Sequence, residues 1–215
     1  MAQALYAVFI HAGQGCFLGT RTLVHEKIYD EFVEKATKLA SNVKYGDSFD
    51  EATTQSPLIT KEHREKVLNY IKSGQEQGAT MTLGGDCPDI KGYYVNPTIF
   101  ADVKNDMKIA REEIFGPVMS IIKYSDLDEA IEIANDTQYG LAAGVVTDDI
   151  NKAMYLNNAI RAGTIYNNCY AIIRTGLPFG GFKNSGIGRK YGYPGIDMYL
   201  ENKTVVIARP PGSLP

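Results

Sequence analysis

The chain has 215 residues, a formal net charge of -3, and ordinary shares of hydrophobic (44%) and charged (22%) side chains. This length is enough for one main domain with a full core, and the composition excludes disordered and fibrous proteins. The weakly acidic balance offers no basic surface to nucleic acid, and no run approaches the roughly 20 apolar residues of a bilayer span. We therefore expect neither a nucleic-acid nor a membrane partner.

The cysteines and histidines give no sign of a disulfide framework or a metal site. Cys16, Cys87 and Cys169 form no CxxC pair, and their odd number argues against disulfides. The simplest compartment is therefore the reducing cytoplasm. The three histidines are scattered without ligand spacing, so we predict no metal.

The first predicted elements flank a glycine-rich turn that contains Cys16. Apolar residues 4–9 predict the end of a helix, and residues 20–24 predict a strand. Glycines in the turn allow a tight backbone path and the approach of another molecule. Nearby backbone N–H groups can stabilise a thiolate, which is the nucleophilic form of cysteine. The pattern by itself leaves open an exposed nucleophile or a small buried hydrophobic residue.

Helices and strands alternate in the next part of the chain. Apolar residues at helical spacing predict helices over residues 26–43 and 61–77. Strands are predicted over residues 79–83 and 93–100, the second with a proline that confines it to an edge or an end. Cys87 falls in a turn-rich loop and is interpreted as incidental.

The alternation continues to residue 166 and predicts the fold class. The predicted elements are a strand, a helix, a strand, a helix and a strand, over residues 118–124, 127–134, 141–146, 148–158 and 163–166. Ser125 with Asp128 is a plausible cap of the first of these helices, and the apolar run 141–146 is typical of a strand buried on both faces. We predict an α/β fold with an open, mostly parallel sheet and helices on both faces. Ligands of such sheets bind at the carboxyl ends of the strands.

Three segments resemble signatures of the aldehyde dehydrogenase superfamily. The first is Phe-x-x-x-Gly-Gln-x-Cys at residues 9–16, with an arginine five residues after the cysteine. The second is Glu-x-Phe-Gly-Pro at residues 113–117, and the third is Pro-Phe-Gly-Gly-x-Lys-x-Ser-Gly-x-Gly-Arg at residues 178–189. The resemblance covers nearly all of the chain and implies the catalytic domain of that family.

The resemblance implies a nucleophile and two cofactor-binding residues. Cys16 becomes the catalytic cysteine, although bulky Phe17 and Leu18 follow it where the family usually has small residues. On residue type alone, the pair that Glu113 forms with the preceding glutamate is more typical of a solvated helix end. In the family, the residue at Glu113 accepts hydrogen bonds from the nicotinamide ribose of NAD or NADP, and Phe115 packs near that ribose. An ionised carboxylate suits this task because it is only an acceptor.

The resemblance also implies three substrate-binding residues. Ile172 and Ile173 stand where substrate-facing side chains are expected, and their aliphatic character hints at an apolar aldehyde. Phe179 is expected beside the nicotinamide and the catalytic centre. Tyr166 and Asn167 depart from the family's usual Trp and Val, and Asn167 is either a site adaptation or a tolerated polar residue.

The implied reaction is the oxidation of an aldehyde to a carboxylic acid. The Cys16 thiolate attacks the aldehyde, and backbone N–H groups with an amide side chain hold the oxyanion. Hydride passes to the nicotinamide, and water activated by a carboxylate hydrolyses the thioester. The family's chain is more than twice as long, and its nucleotide-binding half has no counterpart upstream of Cys16. We therefore expect the catalytic portion of a longer enzyme, inactive alone.

The predicted domains are a catalytic domain over residues 1–200 and a C-terminal oligomerisation strand with its tail over residues 201–215. The apolar run 203–208 has no later strand to pair with, and in the family this region lies in the oligomer interface, so we expect a homo-oligomer of the full-length enzyme. Two alternatives stay open. One is a cysteine hydrolase in which His11 acts as base for Cys16, and the other is a non-catalytic assembly module that pairs through the terminal strand.

Overall fold

The computed structural model describes residues 1–47, 49–210 and 212. Its larger sheet consists of β1 (Arg21–His25), β2 (Thr80–Leu83), β3 (Thr98–Ala101) and β4 (Val118–Tyr124), in the order β1-β4-β3-β2. The first three strands in that order are parallel, and the edge strand β2 is antiparallel. A separate parallel pair is formed by β5 (Ala142–Val145) and β6 (Thr164–Asn167). The predicted mostly parallel α/β fold is confirmed.

Helices cover both faces of the larger sheet, as predicted. The α-helices of the described residues are α1 (Ala2–Phe9), α2 (Tyr29–Ala40), α3 (Lys61–Glu76), α4 (Lys108–Arg111), α5 (Leu127–Asn135), α6 (Ile150–Ala159) and α7 (Pro194–Asp197). One core cluster joins α1 and α2 to the sheet, and its members include Val8, Ala36, Met119 and Ile121. A second cluster joins α3 and α4 to the opposite face, and its members include Val67, Ile109, Val118 and Ile122.

Strand β4 is the centre of this packing because successive side chains of a strand point to opposite faces. Val118 and Ile122 enter one cluster, whereas Met119 and Ile121 enter the other. The polar residue between them, Ser120, is satisfied because its hydroxyl donates to Ile109 O at 3.3 Å. Burying each of these apolar side chains is worth about 1.5–3 kcal/mol. The strand therefore fixes both helical layers.

Several local predictions need correction. Helix α5 is capped by Asp126, which accepts from the N–H groups of Asp128 and Glu129, while Ser125 instead donates to Glu129. Strand β5 is not buried on both faces, because its sheet has two strands and three of its four residues are partly or fully exposed. Strand β3 begins only after Pro97, consistent with the missing N–H of proline.

The C-terminal segment carries no helix or strand between residues 201 and 210. Its apolar side chains are open to solvent, and Val206 is 88% exposed. Pairing of this segment with a second subunit stays a prediction, and residues 211 and 213–215 of the predicted tail lie outside the described residues. Among the described residues, no helix combines the length and apolar character that crossing a membrane requires.

Candidate active site

Cys16 lies on the turn between α1 and β1, and its side chain is exposed. The turn is closed by Leu18 N–H, which donates to Gly15 O at 3.2 Å, and Gly19 N–H ties it to Ala7 O at 3.0 Å. In the part of the chain that the structure describes, the N–H of Cys16 donates to no protein acceptor. The turn therefore presents a thiol together with a free donor, which suits an oxyanion that forms on a carbonyl oxygen next to the sulfur.

The neighbouring Gln14 and Gly13 hold this turn in place. Gln14 Nε2 donates to Pro57 O at 3.2 Å, and its Oε1 accepts from Ile59 N–H at 3.1 Å. Gly13 has φ +73, and a Cβ there would lie 1.9 Å from Gly116 O. Only glycine tolerates both the positive φ and this contact. The Cys16 turn is thus locked directly against the segment that contains Glu113 and Phe115.

Phe115 is held in an uncommon backbone conformation at this contact. Its φ is 59, and its carbonyl oxygen lies 2.7 Å from His63 Nε2. The His63 and Phe115 rings meet edge to face, with centroids 6.1 Å apart. A non-glycine residue at positive φ costs of order 1 kcal/mol, which the surrounding contacts must offset. The histidine therefore fixes the backbone of the segment 113–117.

The adjacent carboxylates Glu112 and Glu113 have different surroundings. The Tyr70 hydroxyl donates to Glu112 Oε2 at 2.8 Å, and burial together with this carboxylate raises the pKa of Tyr70 to about 12. The Glu113 carboxylate, in contrast, accepts no hydrogen bond from any described residue, and partial burial raises its pKa while Lys66 opposes the rise. Glu112 is occupied and Glu113 is an open acceptor.

The position of these segments in the sheet contradicts one prediction. The Cys16 turn precedes β1, and the segment 113–117 precedes β4, so they meet at the amino ends of two parallel neighbouring strands. Residues 168–171, which follow β6, are the part of the site that lies at a carboxyl end. The candidate residues of the larger sheet therefore lie at the end opposite to the expected one, where the close contact between Gly13 and Gly116 brings the two loops together.

A small aromatic cluster connects the Cys16 turn to the residues after β6. Its buried members are Ala7, Tyr166 and Tyr170, and Phe17, Cys169 and Ala171 pack against them. Phe17, the bulky residue after Cys16, is thus accommodated in this cluster. Ile172 and Ile173 follow directly and are 46% and 43% exposed. The cluster ends at Ala171, so contact of these two isoleucines with a substrate at Cys16 stays a prediction.

The same cluster contains buried polar atoms that the sequence did not single out. Within the described residues, the hydroxyls of Tyr166 and Tyr170 and the Oδ1 of Asn167 are buried without a hydrogen-bond partner. The two rings are 4.9 Å apart, and burial raises the pKa of both phenols. The departures from Trp and Val at Tyr166 and Asn167 were the only sequence signal, and they did not predict unsatisfied atoms.

Phe179 lies on the third motif, whose loop is anchored at the beginnings of β5 and β6. Its N–H donates to Lys190 O at 2.7 Å, and Lys190 Nζ lies 5.7 Å from its ring centroid. A Cβ on Gly163 would lie 1.7 Å from Gly180 O. The backbone of the loop therefore packs directly against the backbone at the start of β6, with no room for a side chain between them. The contacts of Phe179 lie within its own loop, and its position beside a nicotinamide stays a prediction.

His11 does not share the surroundings of Cys16. It has φ 53 and lines a groove between α1 and the end of α2, together with Tyr6, Phe9 and Leu39. Cys16 is not among the residues of that groove. This placement gives no support to a Cys16–His11 pair. Among the described residues, no three His, Cys, Asp or Glu side chains are grouped so that they could hold a metal ion.

Comparison with known proteins agrees with this geometry. Residues 1–205 match the model of the aldehyde dehydrogenase family. The chain is 50% identical over 205 residues to the mitochondrial benzaldehyde dehydrogenase of Antirrhinum majus, which covers 95% of this chain and 38% of that protein. It is 47% identical to the mitochondrial aldehyde dehydrogenase of Mesocricetus auratus, with 97% and 42% covered.

Solved structures give the same result. An aldehyde dehydrogenase of Mycobacterium tuberculosis in complex with NAD+ superposes with a TM-score of 0.93 at 42% identity, covering 99% of this chain and 44% of that one. An NAD+ complex of the Bacillus cereus enzyme has a TM-score of 0.91 at 43% identity, with 93% and 41% covered. The chain therefore spans about two fifths of the length of its relatives. It belongs to the aldehyde dehydrogenase family.

Proposed function

We propose that this chain supplies the nucleophile and part of the cofactor site for the NAD- or NADP-dependent oxidation of an aldehyde to a carboxylic acid. The observation that carries the proposal is the exposed Cys16, on a turn that is locked by Gly13 against the segment of Glu113 and Phe115. Structures of relatives are described as NAD+ complexes.

The residues present fit a nicotinamide cofactor on its ribose side. Glu113 is an open acceptor-only group, as paired ribose hydroxyls require. Phe115 is held by His63 next to it, so the ring has a fixed position. When bound, the cofactor supplies the acceptor for the hydride of the aldehyde.

The chain's own residues account for the covalent steps. The Cys16 sulfur forms a bond to the carbonyl carbon, and the oxygen gains a negative charge that the N–H of Cys16 can stabilise. Loss of hydride from this thiohemiacetal leaves a thioester on Cys16. Attack of water on the thioester then breaks the C–S bond and releases the carboxylic acid, and the remaining proton of the water goes to the sulfur, which gives the Cys16 thiol. The thiol loses this proton to solvent before it attacks again.

We further propose an apolar aldehyde as the substrate. Ile172 and Ile173 follow the aromatic cluster next to the Cys16 turn and are partly exposed, as residues that contact a small apolar ligand would be. One relative at 50% identity is named a benzaldehyde dehydrogenase. Apolar and aromatic aldehydes should therefore be tested before charged ones.

The 215 residues alone should bind NAD poorly and oxidise aldehydes negligibly, because contacts from Glu113 and Phe115 cannot replace a dinucleotide-binding domain. A clear increase in NADH absorbance from the purified chain with acetaldehyde would contradict this expectation. We also propose that the full-length enzyme self-associates through residues 203–208 and is located in the cytoplasm.

The nucleophile can be tested without cofactor, because an activated ester acylates a reactive thiol directly. Incubation with p-nitrophenyl acetate, followed by mass spectrometry of the digested protein, should find one acetyl group on Cys16. Cys16→Ala should abolish the adduct, and the matched variants Cys87→Ala and Cys169→Ala should keep it. Acetylation that persists in Cys16→Ala, or that lies mainly on another cysteine, would contradict the proposal.

A further inference from the structure

The turn that ends helix α5, residues 133–137, is contacted by one positively charged side chain from each of the three motif segments. Arg21 ends the first motif, Arg111 precedes the second, and Lys183 lies within the third. All three donate to backbone carbonyls of the same short turn, here named the α5 turn. Segments far apart in sequence are thereby tied to one point.

Arg21 reaches the turn from the first residue of β1. One of its terminal nitrogens lies 2.6 Å from Ile133 O and 2.6 Å from Asn105 Oδ1. The guanidinium is largely buried, which lowers its pKa, and nearby Arg111 lowers it further. Buried charged groups persist only with good partners, so these two acceptors hold the start of β1, although Arg21 Nε is buried without a partner among the described residues.

Arg111 approaches the same turn from the end of α4. Its Nη1 donates to Asp136 O at 2.8 Å and to Asp136 Oδ2 at 2.6 Å. Asn105 Nδ2 donates to the same carboxylate oxygen at 2.7 Å, so Asn105 connects Arg21 with Asp136. The Arg111–Asp136 pair lowers the pKa of Asp136.

Lys183 reaches the turn from the third motif. Its Nζ donates to Asn135 O at 2.7 Å and to Thr137 O at 3.1 Å, although its own backbone has φ 54. The ammonium is desolvated there, which lowers its pKa, and Arg161 and Arg21 act in the same direction. The hydrogen bonds from the ammonium to two backbone carbonyls offset the desolvation and the positive φ.

The chemistry of the turn explains this convergence. The last carbonyls of a helix have no partner within the helix, and the end carries a partial negative charge. Cations at this end satisfy the carbonyls and the dipole together. Three cations near one another repel, so a flexible turn would separate them, and the observed distances of 2.6–3.1 Å show that the carbonyls and Asp136 outweigh the repulsion.

We propose that the α5 turn is a common anchor that sets the relative positions of the loops bearing Cys16, Glu113 and Phe179, with Arg21, Arg111 and Lys183 as positioning residues. Each loop has its own local contacts, but this turn is bound by all three. The proposal rests on the proposed function, because that function assigns a catalytic role to these loops. The test below measures no enzyme turnover, so the anchor can be disproved without disproving the proposed function, and the reverse also holds.

Hydrogen exchange measured by mass spectrometry on the full chain tests the anchor. In Lys183→Met, exchange should accelerate at least about threefold in peptides covering residues 14–21 and 111–117, as well as in residues 179–189, because coupled sites typically share 0.5–2 kcal/mol. Peptides from β2 and β3 should keep their rates, which separates loosened loops from global destabilisation. Lys183→Arg should restore the slow exchange in all three segments.

Two further variants complete the test. Lys152→Met removes an exposed lysine from α6 and should leave every peptide unchanged. Arg111→Met should likewise accelerate hydrogen exchange in residues 14–21 and 179–189. The rate at which iodoacetamide alkylates Cys16 should change in Lys183→Met and should return to that of the unmodified chain in Lys183→Arg. The anchor would be disproved if hydrogen exchange in Lys183→Met accelerated only in residues 179–189 and the alkylation rate of Cys16 stayed the same. This conclusion would hold whether or not esters acylate Cys16.

Discussion

The larger sheet and the two-stranded sheet differ in how completely they are packed. Five consecutive residues of β4 are buried between two helical layers, whereas β5 and β6 each have one buried residue out of four. Within the described residues, buried polar atoms without a partner occur in both regions. Arg21 Nε is one such atom on the larger sheet, whereas Tyr166 OH, Asn167 Oδ1 and Tyr170 OH lie in or just after β6.

This difference indicates a division of tasks. The well-packed sheet fixes the Cys16 turn and the segment 113–117, which need exact relative placement for covalent chemistry. The residues after β6 include the partly exposed Ile172 and Ile173, which we propose to contact the substrate. The free energy of unfolding should therefore change strongly on substitution in the larger sheet and little on substitution in the residues after β6.

The largest effect should come from the contact that locks the Cys16 turn. Gly13→Ala adds a Cβ 1.9 Å from Gly116 O at φ +73, so we expect a loss of about 4 kcal/mol or more, or failure to fold. Gly78→Ala is the matched control, because Gly78 has φ +88 but nothing within 4 Å of the added Cβ, and it should cost about 1–2 kcal/mol. Urea denaturation measures both. Equal losses would show that the Gly13–Gly116 contact is unimportant.

Truncation of one isoleucine in each region should show the same difference in stability loss, with smaller values. Ile121→Ala empties a fully buried position on β4 and should lower the free energy of unfolding by about 2–5 kcal/mol. Ile172→Ala removes a side chain that is 46% exposed and should change it by about 0.5 kcal/mol or less. A large loss from Ile172→Ala would place that residue in the core and remove it from the substrate site.

Two tyrosine-to-phenylalanine variants compare satisfied and unsatisfied hydroxyls. The Tyr29 hydroxyl accepts from Asp102 N–H at 2.6 Å, so Tyr29→Phe should cost about 1–2 kcal/mol by leaving that donor unpaired. The Tyr170 hydroxyl is buried without a partner, so Tyr170→Phe should be neutral or stabilising by up to about 1 kcal/mol. Thermal unfolding compares them, and a clear loss in Tyr170→Phe would reveal a partner for this hydroxyl.

The smallest effect concerns the pH dependence of stability at Glu113. Burial raises its pKa above the ordinary 4.5, so the folded state holds this proton more tightly than the unfolded state, and stability falls as the pH rises through that interval. Glu113→Gln should remove this contribution, and its advantage over the unmodified chain should grow from pH 4 towards pH 7. Glu112→Gln, which removes the neighbouring charge, serves as control. A Glu113→Gln advantage that is constant with pH would contradict the shift.

The sequence predicted the elements whose signal is local. The apolar run of β4 gave its bounds without error. The motifs singled out Cys16 and Glu113, whose roles stay predictions. The sequence did not predict contacts between distant residues. The Gly13–Gly116 approach, the unpaired Tyr166 and Tyr170 hydroxyls and the α5 turn all depend on how segments meet in three dimensions.

Local rules failed where a neighbour competed. Ser125 and Asp126 both offer a capping oxygen, and the structure uses Asp126 because Ser125 is bound to Glu129. The apolar run 141–146 predicted a strand buried on both faces, but Val145 is the one buried residue of β5. The terminal run 203–208 was predicted to be a strand but forms none in the structure, and its pairing with a second subunit stays a prediction.

The most direct test of the central claim is a competition among the three cysteines of the unmodified chain. The protein is treated with a limiting amount of iodoacetamide, and the digest is analysed for the labelled fraction of Cys16, Cys87 and Cys169. Because Cys16 is exposed and the other two are partly buried, the account predicts labelling of Cys16 at least about tenfold faster than either. Faster labelling of Cys87 or Cys169 would contradict the assignment of Cys16 as the presented nucleophile.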